Sequence, residues 1–268
     1  MEGFFTAGKK SGIWNFWFEN GNKESTGGYK EDLQEGEWTY WYKAGAVWKK
    51  GMYKNNQKTG IWTTWFENGK KLQEGRFVND KEQGLWTSWF ENGECLSKGK
   101  FKNGIMDSLW SFNYPSGRPS SRVNYVNGKK HGSWLSWFDA TDVIQEKGEY
   151  WYDLKIGYWM TYNQKGRTLD MEGKYNKLGK QSGKWKYYYP EGALMQEQNY
   201  KDGRLTGKSV AYYQSGAIKS ISNYKIIKER KRGKTAKYQS VPHGTWVFYD
   251  LRGAEVGRMY YENGKRKN

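Results

Sequence analysis

The sequence is poor in the residues that make disulfides, metal sites and membrane spans. Its 268 residues include one cysteine, Cys95, and two histidines. A single cysteine excludes an internal disulfide and favours a reducing compartment. No stretch approaches the roughly 18 apolar residues of a membrane span, and the N-terminal MEGFFTAGKKSG lacks the apolar segment of a signal peptide. We therefore expect a soluble, cytoplasmic protein.

Leu, Ile and Val are also sparse, and apolar residues with helical spacing are hard to find. The chain is instead rich in aromatic residues, at 18% of the composition, and contains 34 glycines. Aromatic residues favour strands, while glycine and asparagine favour the tight turns between them. The composition therefore predicts an all-β fold of short strands.

The aromatic residues recur in a repeat. The phrase GIWTTWFENG at 60–69 is followed by GLWTSWFENG at 84–93 and preceded by GIWNFWFENG at 12–21. The step between opening residues is 24 at first, loosens to 25 and 26, returns to 24 and ends with a jump of 37. A half-unit at 3–11 precedes ten units, which open at Gly12, Gly36, Gly60, Gly84, Ser108, Gly132, Gly157, Gly183, Gly207 and Gly244.

Each unit predicts two strands and two turns. The first strand reads Gly-x-Trp-x-x-aromatic-aromatic, as at Trp38, Trp41 and Tyr42, and ends in a polar turn with glycine. The second contains a glycine followed two places later by Tyr or Phe, as at Gly51 and Tyr53, and often ends in Asn-Gly or Asp-Gly, which closes a hairpin. We predict an all-β, single-layer antiparallel meander of about ten 24-residue β-hairpin repeats, twisted and curled, as one continuous domain over 1–268.

The tryptophan at the third position and the aromatic residue at the seventh are expected on one face of the sheet, because side chains alternate between faces along a strand. Copies recur on every second strand, roughly 10 Å apart, so that aromatic ladders run along the sheet. We predict that the rings replace the missing aliphatic core, rather than forming a stacking platform for a ligand. The predicted structural ladder consists of Trp14, Trp38, Trp62, Trp86, Trp110, Trp134, Trp159, Trp185 and Trp246.

These motifs resemble MORN repeats, and specifically the bacterial-type MORN variant of the YwqK-like, antitoxin-like family. The resemblance covers residues 3–264, where Gly-x-Trp-x-x-Tyr/Phe-x-x-Asn-Gly alternates with Gly-x-Tyr-x-Asn-Gly, and includes the His-Gly pairs of HGSWLSWF (131–138) and HGTWVFY (243–249). The standard MORN unit is slightly shorter and has Gly-x-Gly where this chain has Gly-x-Trp. The resemblance implies a rolled sheet of hairpins without catalysis, acting as a scaffold, a dimerisation device or a membrane-associated module. Secreted choline- and glucan-binding repeats have a similar rhythm, but they need export.

No pattern in the sequence predicts an enzyme. His131 and His243 each directly precede an opening glycine and therefore belong to the repeat. Glu19, Glu67 and Glu91 recur in one equivalent turn, where a solvated polar residue is expected. Neither a zinc-ligand spacing nor a phosphate-binding loop is visible. We expect no catalytic residue, no cofactor and no metal.

Positive charge is concentrated where the repeat breaks. The net charge is +17, and the jump of 37 leaves 13 extra residues around the basic text KIIKERKRGKTAKYQS at 225–240. We predict an insertion loop there, because an insertion would disrupt the strand ladder elsewhere. Together with the C-terminal tail, it supplies the candidate residues for an anionic partner: Lys225, Lys228, Arg230, Lys231, Arg232, Lys234, Lys237, Lys265, Arg266 and Lys267.

Several functions fit this basic segment. It is either a solvated loop that keeps an aromatic sheet soluble, or a site for acidic phospholipids, which clusters of four to eight basic residues bind. Docking of an acidic protein patch is a third interpretation, and nucleic acid is disfavoured because no nucleic-acid reading module is visible. The main prediction is a non-enzymatic scaffold, assembly component or antitoxin-like neutraliser that presents an aromatic-rich surface to a protein partner. The alternative is a peripheral membrane module that binds acidic phospholipids through the basic loop.

Two smaller features complete the pattern. The unit at 108–121 has lost its opening glycine, carries Asn113 in place of its second tryptophan and gains Pro115 and Pro119, so that we interpret it as a degenerate unit where the sheet bends. The end strands of an open sheet have unpaired edges, which predicts self-association through those edges.

Overall fold

The structure is a computed structural model that describes residues 1–139, 141–165, 167–229 and 237–267. All of the regular secondary structure in these residues is β-strand, in 24 strands. No helix long and apolar enough to cross a membrane occurs among them. The chain divides into two compact units, Met1–Lys129 and Lys130–Asn268. The expectation of one continuous domain over 1–268 stays a prediction.

The first unit is an antiparallel meander in which each strand pairs with the next along the chain. Trp62 lies opposite Gly75, and Trp86 lies opposite Gly99, so that successive repeats keep one register. The strands are β1 (Glu2–Thr6), β2 (Lys9–Trp17), β3 (Lys23–Lys30), β4 (Leu33–Trp41), β5 (Val47–Lys54), β6 (Gln57–Trp65), β7 (Lys71–Val78), β8 (Lys81–Trp89), β9 (Cys95–Lys102), β10 (Ile105–Asn113) and β11 (Pro119–Val126).

The second unit has the same hairpin pattern. Its strands are β12 (Lys129–Trp137), β13 (Ile144–Trp151), β14 (Leu154–Tyr162), β15 (Leu169–Tyr175), β16 (Gln181–Tyr188), β17 (Leu194–Lys201), β18 (Arg204–Leu205), β19 (Gly207–Tyr212), β20 (Ile218–Glu229), β21 (Lys237–Pro242), β22 (Gly244–Tyr249), β23 (Glu255–Glu262) and β24 (Lys265–Lys267). Strand β17 pairs with both β18 and β19, and β20 pairs with β19, β21 and β22. The predicted all-β antiparallel meander of hairpin repeats is confirmed.

One type of turn consists of two residues that both have a positive φ. Asn55 and Asn56, with φ of 50° and 65°, are an example. A type I′ turn requires this conformation, and its twist matches the twist of a hairpin. The Asn-Gly and Asp-Gly pairs at Asn103–Gly104, Asn127–Gly128 and Asp202–Gly203 have it as well.

The other type of turn follows the aromatic end of the first strand in each repeat. In the repeat that opens at Gly60, the Phe66 amide donates to the Lys70 carbonyl at 2.8 Å, and the Gly69 amide donates to the Phe66 carbonyl at 3.0 Å. Gly69 has a φ of 82°, in the region that glycine adopts at little cost. The Glu-Asn-Gly phrases therefore encode a turn with one left-handed residue.

The opening residue of every repeat has a left-handed backbone, and in seven repeats it lies in a β-bulge. All ten opening residues have φ between 61° and 85°. In β5 and β6 the pairing steps from Met52 opposite Thr59 to Lys50 opposite Thr63, so that the opening residue lies in the shift. Because only glycine adopts this conformation without strain, the repeat begins with glycine. Ser108, with φ of 61°, keeps the same backbone without it.

A second register shift occurs between the fifth and sixth positions of each repeat, as between Tyr40 and Trp41. In five repeats the fifth residue is aromatic, and in four of these its ring contacts the tryptophan at position three; Tyr40 and Trp38, for instance, are stacked with centroids 5.7 Å apart. The aromatic face therefore includes the fifth position, which the sequence analysis did not assign to it.

The described part of the insertion is a hairpin and not the loop predicted over 225–240. Strand β20 continues to Glu229, and its last residues pair in register with β21. In other repeats a turn of two residues ends the second strand. Here the second strand is longer and pairs with β21, so that the backbone groups of the added residues form hydrogen bonds with one another. Residues 230–236 lie outside the described part of the chain.

The degenerate unit at 108–121 still forms a hairpin. Strand β10 ends at Asn113, whose Nδ2 donates to the Cys95 carbonyl at 2.9 Å. Pro119 is the first residue of β11, a position where a missing amide proton is tolerated. The substitutions in this unit therefore change side chains without removing the strands.

Candidate functional site

The tryptophans of the predicted ladder lie in the interior of each unit. Seven of the nine have 1–6% of their surface exposed: Trp14, Trp38, Trp62, Trp86, Trp110, Trp159 and Trp185. Trp134 and Trp246 are partly buried. In the repeat that opens at Gly207 the same position is Ser209, which is 2% exposed, so that the series lacks a ring there.

Each buried ring lies on a glycine of the neighbouring strand. A Cβ atom on Gly51 would lie 2.2 Å from Cδ2 of Trp62, well inside van der Waals contact. The Trp62 Nε1 donates to the Met52 carbonyl at 3.1 Å, so that the ring is buried without an unpaired donor. The same contact between a glycine and a tryptophan occurs at Gly3, Gly27, Gly75, Gly99, Gly148 and Gly173.

Rings on the second strand of each repeat join the tryptophans into a series. The Tyr53 and Trp62 centroids are 5.0 Å apart, those of Trp62 and Phe77 are 6.3 Å apart, and those of Phe77 and Trp86 are 5.1 Å apart, all edge to face. Such pairs contribute about 0.5–1.5 kcal/mol each beyond their buried area. Equivalent pairs in the second unit are Tyr150–Trp159 and Tyr175–Trp185.

A groove of about 310 Å³ opens on this aromatic face in the first unit. Trp48, which is 40% exposed, and Lys49 are among the residues that line it. The Lys49 Nζ lies 4.2 Å from the ring centroid of Trp48 and 4.4 Å from that of Tyr40. Both rings therefore attract the ammonium through their negative faces.

Lys58, on the next strand, lines the same groove. Its Nζ lies 4.9 Å from the ring centroid of Trp62 and 5.0 Å from that of Phe77. Cations at the equivalent position lie over rings in three other repeats, at Lys10, Lys130 and Lys155. The lysine is thus a feature of the repeat, and the groove is where two lysines meet.

The groove has unbalanced positive charge. Burial lowers the pKa of Lys49, and the positive charge of Lys58 lowers it further. Among the ion pairs of the described residues, none includes either lysine. Two cations in a partly desolvated groove repel each other, and an anion between them would remove that repulsion. The arrangement therefore suits a negatively charged group.

The structure places the described basic residues that the sequence singles out on three strands. Lys225 and Lys228 lie in β20, Lys237 lies in β21, and the tail residues Lys265, Arg266 and Lys267 form the exposed β24. Lys267 forms an ion pair with Glu262 at 3.0 Å. Arg230, Lys231, Arg232 and Lys234 lie outside the described residues.

Sequence reasoning missed two sets of cations. Lys49 and Lys58 belong to regular repeats, and the signal that identifies Lys58 is the recurrence of lysine two residues before the opening glycine. Three further cations, Lys180, Lys201 and Arg204, line a cavity together with Lys225 and Lys228. No local signal marks these three, because their proximity to the insertion depends on the hairpin that extends β20.

Comparison with known proteins identifies the repeats. The family described as "MORN repeat variant" matches residues 34–55, 58–79, 82–103, 181–202 and 205–225. No curated protein matches this chain. These matches fit the boundaries of the hairpins and confirm the resemblance to MORN repeats.

Two solved structures contain chains to which this one is similar at 10% identity. One is the crystal structure of TcdB2-TccC3-Cdc42, with a TM-score of 0.18 over 95% of this chain and 17% of that chain. The other is a Tc holotoxin pore from Photorhabdus luminescens, with a TM-score of 0.19 over 97% of this chain and 17% of that chain. This chain therefore spans about one sixth of the length of either. Five of its segments match the MORN repeat variant, so that it contains MORN-type repeats.

Proposed function

We propose that this chain is a non-enzymatic repeat protein that binds an acidic segment of a protein partner along its aromatic face. In this role it acts as a scaffold or assembly component, or as an antitoxin-like neutraliser that covers its partner. MORN repeats suit such roles because stacked repeats present an extended surface for binding. The finer, YwqK-like assignment is part of this proposal.

The observation that carries the proposal is the lysine pair in the groove of the first unit. Lys49 and Lys58 lie over aromatic rings, without an ion-pair partner among the described residues, and their charges repel. A carboxylate from a partner that lies between the two ammonium groups would balance one of their charges and offset their repulsion, while an adjacent apolar side chain would contact the exposed part of Trp48. Aromatic and cationic residues together are typical of the central contacts of protein interfaces.

The opposite face of the first unit also carries exposed apolar side chains. They occupy the second position of four repeats and are 52–61% exposed: Ile13, Ile61, Leu85 and Leu109. Because copies recur on every second strand, Ile61, Leu85 and Leu109 form a row with a spacing of roughly 10 Å. Glu37 occupies the same position between Ile13 and this row. These apolar side chains extend over several repeats, and a protein partner could cover all of them whereas a small metabolite could not.

The test uses a fluorescent hexaglutamate peptide and fluorescence anisotropy at about 0.15 M salt, where long-range attraction is screened. The double variant Lys49→Gln/Lys58→Gln is expected to lose about tenfold or more in affinity, because two charge-assisted contacts disappear. Quenching or enhancement of tryptophan fluorescence in the wild-type protein locates the peptide at the rings.

The matched control is Lys50→Gln/Lys54→Gln, which removes the same charge from β5 outside the groove. Lys50 pairs with Glu37 at 2.8 Å, on the face opposite Lys49. Equal losses in the two double variants would mean that only net charge matters and would contradict a site in the groove. A hexaglutamine peptide that binds as well as hexaglutamate would contradict the acidic partner.

A peripheral membrane role is the second candidate, favoured by the exposed cations of the extended hairpin and of β24. Lys228, Lys237 and Arg266 are all exposed. At about 1 kcal/mol for each cation near an anionic surface, such residues would support reversible binding. Flotation with phosphatidylserine vesicles but not with neutral vesicles is the expected result, and recovery with neither would exclude this role.

A further inference from the structure

A strongly basic pocket of about 670 Å³ lies beside the extended hairpin of the second unit. Five cations line it: Lys180, Lys201, Arg204, Lys225 and Lys228. Of the described lining residues one is acidic, Asp202, and its Oδ1 accepts a hydrogen bond from the Asn176 Nδ2 at 2.8 Å. The lining therefore has an excess of four positive charges.

Arg204, in a regular repeat, contacts Tyr238 in the extended hairpin. Its Nε donates to the Tyr238 carbonyl at 2.8 Å, and its guanidinium carbon lies 5.6 Å from the centroid of the Tyr238 ring. Lys228, directly opposite Tyr238 in the hairpin, places its Nζ 5.9 Å from the same ring. These contacts hold two cations of the pocket in place before any ligand arrives, which lowers the entropic cost of binding.

The five cations form no close ion pair in the described part of the chain, although Asp202 lies among them and Lys225 acts electrostatically on Glu262. None of the ion pairs there includes Lys180, Lys201, Arg204, Lys225 or Lys228. The nearby hairpin carboxylate, that of Glu229, accepts a hydrogen bond from the Gln239 Nε2 at 2.8 Å. Clustered like charges that the protein itself leaves unbalanced mark a site for an external anion.

We propose that this pocket binds a multiply charged phosphate ligand. A single carboxylate would balance one of the four excess charges, whereas two or three linked phosphates would balance most of them. Arginine and lysine together suit phosphate oxygens, since the guanidinium offers a planar set of donors and each ammonium a mobile point charge. The volume is within the range of small-ligand pockets and exceeds what one phosphate fills.

The phosphates come either from a free polyphosphate-type anion or from a lipid headgroup. In the second case the inference deepens the membrane role given above, because a pocket for one headgroup adds selectivity to diffuse attraction. It does not depend on the lysine groove of the first unit. The ligand is defined here by its phosphate groups, and the two sources are separate arms of the test.

The experiment is a calorimetric titration of the full chain with sodium tripolyphosphate at about 0.15 M salt. Citrate, which carries three carboxylates, is the comparison anion. The site variant is Arg204→Gln/Lys228→Gln, and the charge-matched control is Lys174→Gln/Lys208→Gln, two exposed lysines outside the pocket. Circular dichroism and the thermal midpoint verify that each variant is folded, and Arg204→Lys keeps the charge while it loses the planar donor set.

Saturable tripolyphosphate binding that weakens about tenfold or more in the site variant, less in Arg204→Lys and not in the control, is the expected result. Equal binding by the two double variants, no tripolyphosphate or phosphoinositide binding by the wild-type chain, or equally tight citrate binding would each overturn the proposal.

Flotation separates the two sources. Vesicles with phosphatidylinositol bisphosphate that recover the wild-type chain and not the site variant would assign the pocket to a lipid headgroup, whereas tripolyphosphate binding without recovery would assign it to a free anion. Recovery that is equal with phosphatidylserine vesicles and insensitive to the site variant would overturn the pocket and leave the membrane role standing.

Discussion

Gly75 and Trp86 illustrate how single residues define this repeat. A Cβ atom at position 75 would lie 2.1 Å from Cδ2 of the Trp86 ring. The glycine is thus required by a side chain on the neighbouring strand, and not by its own backbone conformation. The opening glycines are instead required by their backbone conformation. Gly60 has a φ of 65°, and a Cβ atom there would have ordinary contact with the side chain of Met52 at 3.7 Å. Two glycines of one repeat therefore serve two different purposes.

Gly75→Ala is expected to lower the free energy of unfolding by about 1–3 kcal/mol, because the added methyl group displaces a buried ring. Urea titrations followed by tryptophan fluorescence measure the change. Trp86→Leu and the double variant complete a cycle: once the ring is smaller, Gly75→Ala should cost less than it does in the wild-type chain. Additive effects of the two substitutions would contradict a direct clash.

Ser108→Gly is expected to raise the free energy of unfolding by about 0.5–1 kcal/mol, because a left-handed backbone favours glycine. Ser108 has a φ of 61°, and the hydrogen bond lost from its Oγ to the Asp107 Oδ2 is exposed. The matched control is Ser111→Gly in the same strand, where glycine should be destabilising by a similar amount. If both substitutions destabilise the chain, the bulge does not strain Ser108.

At the scale of the hairpin, much of the fold is readable from the sequence and much of the candidate site is not. Pairs such as Asn103–Gly104 encode their own turn, because few residues tolerate two positive φ values in succession. The place of Lys49 over Tyr40 and Trp48 depends on cross-strand pairing and on bulges, which no local pattern specifies. The series of aromatic rings could be predicted from the 24-residue spacing of the repeats, whereas the groove lined by Lys49 and Lys58 could not.

The tyrosines of the aromatic face are expected to make stability fall in alkaline solution. Burial and the neighbouring hydroxyl of Tyr53 raise the pKa of Tyr40. Burial is also the main cause of the raised pKa values of Tyr29, Tyr175, Tyr188 and Tyr200. Because the unfolded chain ionises first, this contribution is complete below pH of about 10 and is lost as the pH rises above it.

Tyr40→Phe should therefore make the decline of the urea midpoint between about pH 9 and 11 less steep. It also removes the hydrogen bond from the Gln34 Nε2 to the Tyr40 hydroxyl, at 3.3 Å. The urea midpoint at neutral pH should therefore fall slightly. Tyr260→Phe, on a ring that is 50% exposed, is the control. An unchanged slope in Tyr40→Phe would show that other groups dominate alkaline unfolding.

At the scale of the whole molecule, the repeat pattern predicted the class of fold and the MORN-type repeats, while the two proposed binding sites depend on contacts between segments that are distant in the sequence. The basic insertion was visible because it breaks the repeat, yet Lys180, Lys201 and Arg204 were not, because each is one lysine or arginine among 45. Charge counts along a chain do not reveal which cations share a cavity. The pairing of β20 with β21 brings them together, and that hairpin was predicted as a loop.

The first strand makes self-association of the chain testable. In the described residues β1 pairs with β2 alone, and its side chains Phe4 and Phe5 are 77% and 63% exposed. An edge strand with exposed rings is a template for pairing with another chain. Sedimentation velocity is therefore expected to show a mean mass that rises with protein concentration. Phe4→Lys should suppress this rise, because lysine on an edge strand opposes edge-to-edge pairing.

Ile13→Lys distinguishes edge pairing from association through an apolar face. Ile13 is 61% exposed on β2, a strand whose two edges are already paired with β1 and β3. This substitution adds the same charge and removes an apolar side chain of similar exposure, yet it leaves the free edge unchanged. Association that persists in Ile13→Lys and disappears in Phe4→Lys would locate the contact at β1. Equal suppression in both would place it on the apolar face that carries Ile13, and a mass independent of concentration in the wild-type chain would contradict edge pairing altogether.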